Sequence, residues 1–341
     1  LRDFNEIKVK NIYKLLFVYN TDIAMGLARV TEAAALSASK FMGRGDKNAA
    51  DQAAVDGMHK AFQIMPVRGK VVIGEGELDE APMLYIGEEV GIGAEDMVEM
   101  DIAVDPVDGT KLIAKGLENA IAVVAMGPKG SLFHAPDMYM KKIAVGSGAK
   151  GAIDINKSPK ENILNVARAL NKDVTELTVI VQERDRHDYI VKDAREVGAR
   201  VKLFGEGDVA AVLACGFEDT GVDIMMGTGG APEGVIAAAA IKCMGGEMQA
   251  QLCPTSQEEI ERCKTMGIKD HEAILYIDDL VKSDDVYFAA TAITDCDLLK
   301  GVVYNRNEKA ITNSIVMRSK TGTIRFVKAC HNLAKSAIVV E

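Results

Sequence analysis

Val98-Glu-Met-Asp-Ile-Ala-Val-Asp-Pro-Val-Asp-Gly-Thr110 is the stretch around which the rest of the chain can be read. Val98, Met100, Ile102 and Val104 alternate with polar or small residues, the period-2 pattern of an extended segment. Pro106 has no N–H for a sheet ladder and Gly109 favours a tight turn, so the strand is expected to break at Pro106 and leave Asp105 and Asp108 on the sheet rim. Two carboxylates followed by the Thr110 hydroxyl suit a hard divalent cation, for which oxygen ligands select Mg²⁺ or Mn²⁺. A helix starting near Gly109 would point its unpaired N–H groups at the same place and hold phosphate oxygens. Taken alone, the same residues also make an ordinary Asp/Gly/Pro turn.

A second apolar run, Lys70 to Ile73, ends in another acidic turn, Gly74-Glu-Gly-Glu-Leu-Asp-Glu80. Before it lie two helical patterns. The first has Asp22 as N-cap and Ile23, Leu27, Val30, Ala34 and Phe41 at helical spacing; the second runs from about Ala50 to Ile64. The polar connector between them carries Asp51 at its end. Past about Gly151 helix and strand patterns alternate, which predicts a parallel sheet covered by helices. Its loops hold Arg184-Asp-Arg-His-Asp188, Glu206-Gly-Asp208 and Gly227 to Gly234, and strands near Val286 to Ala290 and Ile311 to Met317 follow. In layered α/β structures, loops beyond strand ends collect ligands, so these segments are expected to meet in one cleft.

At 341 residues the chain has room for one large or two ordinary domains. A net charge of −10 with no basic cluster argues against nucleic acid and suits an enzyme that concentrates cations. The six cysteines form no Cys-x-x-Cys pair, which points to reduced thiols and a cytoplasmic setting. The apolar run Ile12 to Tyr19 is too short to span a bilayer, and residues 1–21 are expected to be a poorly ordered extension.

Asp51, Glu75, Asp105, Asp108 and Glu233 are carboxylates on separate loops. Crowding them would raise their pKa values unless divalent ions were present. Two such ions about 4 Å apart polarise a phosphoryl group and generate hydroxide, so phosphomonoester hydrolysis is the natural chemistry. Arg184, Arg186 and His187 are candidates for a second phosphate on the substrate.

The motifs Gly43-Arg-Gly-Asp-Lys-Asn-Ala-Ala-Asp51, Val72-Ile-Gly-Glu-Gly-Glu through Glu88, Asp101-Ile-Ala-Val-Asp-Pro106, Ala135-Pro-Asp-Met-Tyr-Met140, Arg186-His-Asp188 and Gly229-Gly-Ala-Pro-Glu-Gly234 resemble class II fructose-1,6-bisphosphatases of the bacterial type, in order from about Ala24 onward. The resemblance implies a five-layer αβαβα sugar-phosphatase fold related to inositol monophosphatases. It also implies Mn²⁺ or Mg²⁺ as cofactor, and hydrolysis of the 1-phosphate of fructose 1,6-bisphosphate in gluconeogenesis. Carried over by position, it gives Asp51, Glu75, Asp105, Asp108 and Glu233 as metal ligands and Asp51, Thr110 and Lys47 as catalytic residues. Substrate contacts would come from Asp108, Gly109, Thr110, Tyr139, Arg184, Asp185, Arg186, Glu206, Gly207, Asp208 and Gly230. It further implies a metal-binding α/β domain over 22–152, a sugar-phosphate domain over 153–341 with the site between them, and a homo-oligomer, dimer or tetramer. Asp108 stands where the family usually has Glu, Glu206 where Asp is usual, and Arg184 where Lys is usual. Sedoheptulose 1,7-bisphosphate, an inositol-type monophosphate, and a silent sugar-phosphate- or cation-binding regulator stay open as alternatives.

Overall fold

The computed structural model describes residues 23–76, 83–94 and 97–335. The 1–21 extension, the Asp22 cap and the acidic-turn residues Glu77, Asp79 and Glu80 lie outside the described residues.

The chain opens with two helices, α1 (23–39) and α2 (Lys47–Phe62). Ile23, Leu27, Val30 and Ala34 are buried, and Phe41 packs against the same core. Helix α2 starts a turn earlier than its apolar residues suggest, because the Asp46 carboxylate accepts the Ala49 N–H at 3.0 Å and caps it.

Strands β1 (Arg68–Ile73), β2 (Glu89–Val90), β3 (Glu99–Asp108) and β4 (Ile121–Pro128) follow, with α3 (Thr110–Lys115) between the last two. Strand β5 (Tyr139–Val145) begins a second sheet. That sheet grows through α4 (Pro159–Ala169), β6 (Thr178–Gln182), α5 (Asp188–Glu196), β7 (Arg200–Phe204), α6 (Asp208–Ala214), β8 (Ile224–Gly230), α7 (Ala231–Cys243) and β9 (Glu247–Leu252). Helix α8 (Gln257–Thr265), strand β10 (Leu275–Tyr276) and helix α9 (Ile277–Leu280) complete this part.

The chain then returns to the first sheet with β11 (Tyr287–Ala292), β12 (Val303–Asn305), β13 (Lys309–Arg318) and β14 (Thr323–Asn332). The order there is β12-β13-β11-β4-β3-β1-β2, with β14 on β13; in the second sheet it is β10-β9-β5-β8-β6-β7. The sheets therefore do not divide at residue 152 as the sequence suggests. Residues 139–145 already belong to the second sheet, and 287–332 to the first. The second sheet is also mixed rather than parallel. Parallel pairing is confined to β7–β6 and β6–β8, whereas β5 pairs antiparallel with both β8 and β9. The helix–strand alternation runs on through α7 to β9, which keeps the direction of β8, but β5 enters from a loop and lies between β8 and β9 in the opposite direction.

Strand alternation builds the layers. In β4, Ile121, Val123 and Ala125 join a central core with α6 and α7, while Ala122, Val124 and Met126 join another with α1 and α2. In the second sheet Ile180 and Met225 face the central core, and Val179, Val181, Ile224 and Met226 face α4 and α5. The central strands of both sheets are thus buried on both faces, which explains near-continuous apolar strands such as Ile-Ala-Val-Val-Ala-Met. The stack is helix, sheet, helix, sheet, helix: the five-layer α/β architecture.

Candidate active site

The strand carrying Asp105 does not stop at Pro106. β3 runs on to Asp108, and its pairing with β4 slips from Asp105↔Val123 to Asp108↔Ile121, three residues against two. In a regular strand two residues three apart point to opposite faces. The bulge cancels that inversion, so Asp105 and Asp108 both line one cleft. β1 has a similar slip at Val71 to Ile73, one residue before Gly74 and Glu75. Pro106 accommodates the bulge because no ladder N–H is required of it.

The cleft encloses about 590 Å³ and lies at the C-terminal ends of the parallel strands of both sheets, β1 and β3 in one and β6, β7 and β8 in the other. One wall presents Asp51 from α2, Glu75 after β1, Asp105, Asp108, Gly109 and Thr110. The facing wall presents Tyr139 at the start of β5, Arg184 and Arg186 after β6, the Glu206-Gly207-Asp208 turn before α6, and Gly230 and Glu233 where β8 passes into α7. Of the positions singled out in the sequence, Lys47 and Asp185 do not line it. Lys47 is exposed on α2, where its charge favours the ionised form of Asp51. Asp185 is exposed in the 3₁₀ turn after β6.

His187 is a correction to the sequence reading. It is buried and faces no substrate, because both ring nitrogens are engaged by backbone. Nδ1 lies 2.8 Å from the Gln182 carbonyl oxygen, and the Thr228 N–H donates to Nε2 at 2.8 Å. That pattern requires a neutral imidazole with its proton on Nδ1. Burial lowers its pKa in the same sense. Thr228, held by the ring, turns its carbonyl to Arg186, which donates from Nε at 3.1 Å and Nη2 at 2.8 Å. Arg186 also donates to Gln182 Oε1 at 3.0 Å and lies over the Tyr139 ring at 4.9 Å. Gln182 and Lys142 do not stand out in the sequence. Neither occurs in a spacing that signals chemistry: Lys142 follows Lys141 in Tyr-Met-Lys-Lys-Ile-Ala-Val, and Gln182 ends Thr-Val-Ile-Val-Gln.

The carboxylates raise one another's pKa values. Burial, then Asp51 and Glu233, lifts Glu75 to about 7. Burial, then Asp208 and Glu233, lifts Asp108 to about 8 against the N–H groups of Val209 and Ala210. Asp105 is pushed well up by burial and by Asp108, Glu233 and Glu75. Burial likewise raises Asp51 and Glu233. Such an array is costly without a cation. Among the described residues no three acidic, histidine or cysteine side chains are already gathered round one point as a ligand shell. The donor set nonetheless fits divalent ions: it is all oxygen, and Glu233 Oε2 is buried with no hydrogen-bond partner.

A family model for bacterial fructose-1,6-bisphosphatase, glpX-encoded, matches residues 21–331. The chain belongs to this family. It is 46% identical over 327 residues to the fructose-1,6-bisphosphatase class 2 of Haemophilus influenzae, covering 92% of this chain and 97% of that one. It is 45% identical over 325 residues to the fructose-1,6-bisphosphatase 1 class 2 of Escherichia coli K12, covering 92% and 96%. The family's bisphosphatase chemistry is the frame in which the two walls of the cleft acquire roles.

Proposed function

We propose that this protein is a cytoplasmic, Mn²⁺- or Mg²⁺-dependent phosphatase that hydrolyses the 1-phosphate of fructose 1,6-bisphosphate to fructose 6-phosphate in gluconeogenesis. The observation that carries this reading is the meeting of Asp51, Glu75, Asp105 and Asp108 on one wall with Glu233, Arg184 and Arg186 on the facing wall. An acidic wall suits metal ions and the reacting phosphate; arginines suit the phosphate that stays.

Asp51, Glu75, Asp105, Asp108 and Glu233 hold the ions, which when bound polarise the phosphoryl group and make water nucleophilic near neutral pH. Thr110, with Asp51 behind it, orients the attacking water, and Lys47 supports the charge of Asp51. Arg186, stacked on Tyr139 and tied to Gln182 and Thr228, binds the 6-phosphate in a fixed pose. Arg184, the Glu206 to Asp208 turn and Gly230 border the sugar, with Asp185 outside the lining. The first sheet and α2 thus supply most of the metal half, with Glu233 added from α7, and the second sheet borders the sugar-phosphate half. Assembly as a dimer or tetramer is part of the proposal, to be measured by light scattering. Among the described residues no helix is long and apolar enough to cross a membrane.

Phosphate release from fructose 1,6-bisphosphate with Mn²⁺, abolished by EDTA and restored by added metal, is the test. Asp105→Ala is expected to remove turnover and leave a folded protein. Faster turnover of sedoheptulose 1,7-bisphosphate or an inositol monophosphate would move the substrate assignment. Binding of sugar phosphate with no turnover of any of them would identify a regulator instead.

A further inference from the structure

Lys142 lies in β5 with only 1% of its side chain exposed, beneath the sugar-phosphate half of the cleft and outside its lining. Its ammonium donates to Asp208 Oδ2 at 2.6 Å and to the Gly230 carbonyl at 2.9 Å. Asp208 is the first residue of α6 and Gly230 caps α7, so one side chain fixes the spacing between two helix starts that face the cleft. The fit around it is close. A Cβ on Gly229 would lie 1.8 Å from Asp208 Oδ2 and 3.1 Å from Lys142 Nζ.

A buried ammonium is stable only with its countercharge, and removing one partner leaves the other stranded. Stranded, Asp208 would turn outward or add its charge to a cleft already crowded with carboxylates. Either outcome would shift the Glu206-Gly207-Asp208 turn and Gly230 together, while Asp105 and Thr110, on the other sheet, would stay in place.

We propose that Lys142 is a positioning residue for substrate specificity, pinning Asp208 and Gly230 so that the sugar side of the cleft is built before substrate arrives. The inference rests on the sugar-bisphosphatase reading above. It assigns Lys142 no contact with the reacting phosphate, and with Glu233, whose ionised form Lys142 also favours, kept charged by saturating metal, its loss weakens binding of the sugar bisphosphate more than it slows the chemical step.

A double-mutant cycle of Lys142→Met and Asp208→Asn tests it, read both by fructose 1,6-bisphosphate kinetics at saturating Mn²⁺ and by thermal melting of the metal-free protein. Expected are a rise in KM of about 10- to 100-fold for Lys142→Met with kcat within about threefold, and a double variant no worse than the poorer single. Should Lys142→Met not fold, Lys142→Gln, which keeps a donor for the Gly230 carbonyl, replaces it in the cycle. Losses that multiply in the double variant, or that fall on kcat with KM unchanged, overturn the proposal. A wild-type protein inactive on the bisphosphate would sink the phosphatase reading instead. In that case the melting cycle decides whether Lys142 and Asp208 act as one unit, and additive melting shifts there would count against the pin.

Discussion

Asp108 Oδ2 accepts the N–H of Val209 at 2.9 Å, joining the end of β3 in one sheet to the first turn of α6 beside the other, 101 residues away in the chain. One oxygen of a proposed metal ligand is therefore already committed to positioning the sugar-side turn. A carboxylate shared in this way couples where a metal sits to where the substrate sits.

The length of that side chain then matters. Asp108→Glu adds a methylene between β3 and α6 in a buried site, so the Val209 hydrogen bond and the ligand position cannot both be kept without movement. The variant is expected to lose about 10-fold or more in kcat/KM and to change its ratio of Mn²⁺- to Mg²⁺-supported rates. Steady-state rates with each metal measure this. An unchanged ratio with unchanged kcat/KM would show that Asp108 does not link the two halves.

His187 holds the arginine side of the cleft through backbone alone. His187→Ala removes the groups that satisfy the Gln182 carbonyl and the Thr228 N–H, each worth about 1–3 kcal/mol when left buried and unpaired. Melting is expected to fall accordingly. Because Thr228 then loses its hold on Arg186, KM for the bisphosphate is expected to rise more than kcat falls. Loss of kcat with normal KM would place His187 in the chemistry after all.

What could be read from the sequence, and what could not, follows from range. Asp105, Asp108, Glu75 and Glu233 stand out because turn residues beside polar ones at the ends of apolar runs are local signals, and the motif resemblance extends them. The pairing partners of β11 to β14 are not local. Nothing in Tyr287 to Ala292 says that it lies beside Ile121 to Met126 and not beside the nearer β9, since both sheets offer apolar surfaces. β14 was hidden because its exposed, alternating residues match a solvated loop as well as an edge strand. At Pro106 the sequence predicts the end of the strand, as a lone proline usually implies, whereas the proline sits in the bulge that turns both aspartates the same way. Lys142 and Gln182 give no signal because a Lys-Lys pair near the start of β5 and a glutamine at the end of β6 match a solvated strand end as well as a buried one.

Away from the cleft, Glu32 on α1 is 7% exposed, and burial raises its pKa to about 7 against a hydrogen bond from Thr312 and the charge of Arg29. Thr312 also lies 2.8 Å from His331 Nε2, and burial lowers the pKa of that histidine. For an acid whose folded pKa is raised, the stabilising contribution is present below the unfolded value near 4.5 and is lost as pH rises through about 7. The loss from Glu32 therefore falls between about pH 4.5 and 7, and His331, whose lowered pKa acts in the opposite sense below 6.5, partly offsets it in the wild type. Glu32→Gln, which stays neutral and keeps an acceptor for Thr312, is expected to raise stability at pH 8 by about 1–3 kcal/mol and to change it little at pH 5. Urea unfolding at the two pH values checks the sign; equal effects at both would mean that Glu32 is not protonated in the folded protein near neutrality.

Gly230 makes the most direct demand on the site. An added Cβ there would lie 1.8 Å from Glu233 Oε2 and 2.7 Å from its carboxyl carbon, with Glu233 one turn into α7. The backbone at Gly230, with φ −62° and ψ 139°, is open to any residue, so Gly230→Ala adds bulk without backbone strain. The methyl group can be relieved by swinging the Glu233 carboxylate away, and the fold is then expected to survive with melting close to wild type. Displacing one ligand by about 1 Å is enough to lower turnover about 100-fold. Because the lesion is at a proposed metal ligand, the metal concentration for half-maximal rate should rise together with the fall in kcat. Were kcat to fall with that concentration unchanged, Glu233 would have to be removed from the ligand set and its orphaned buried oxygen assigned to the substrate.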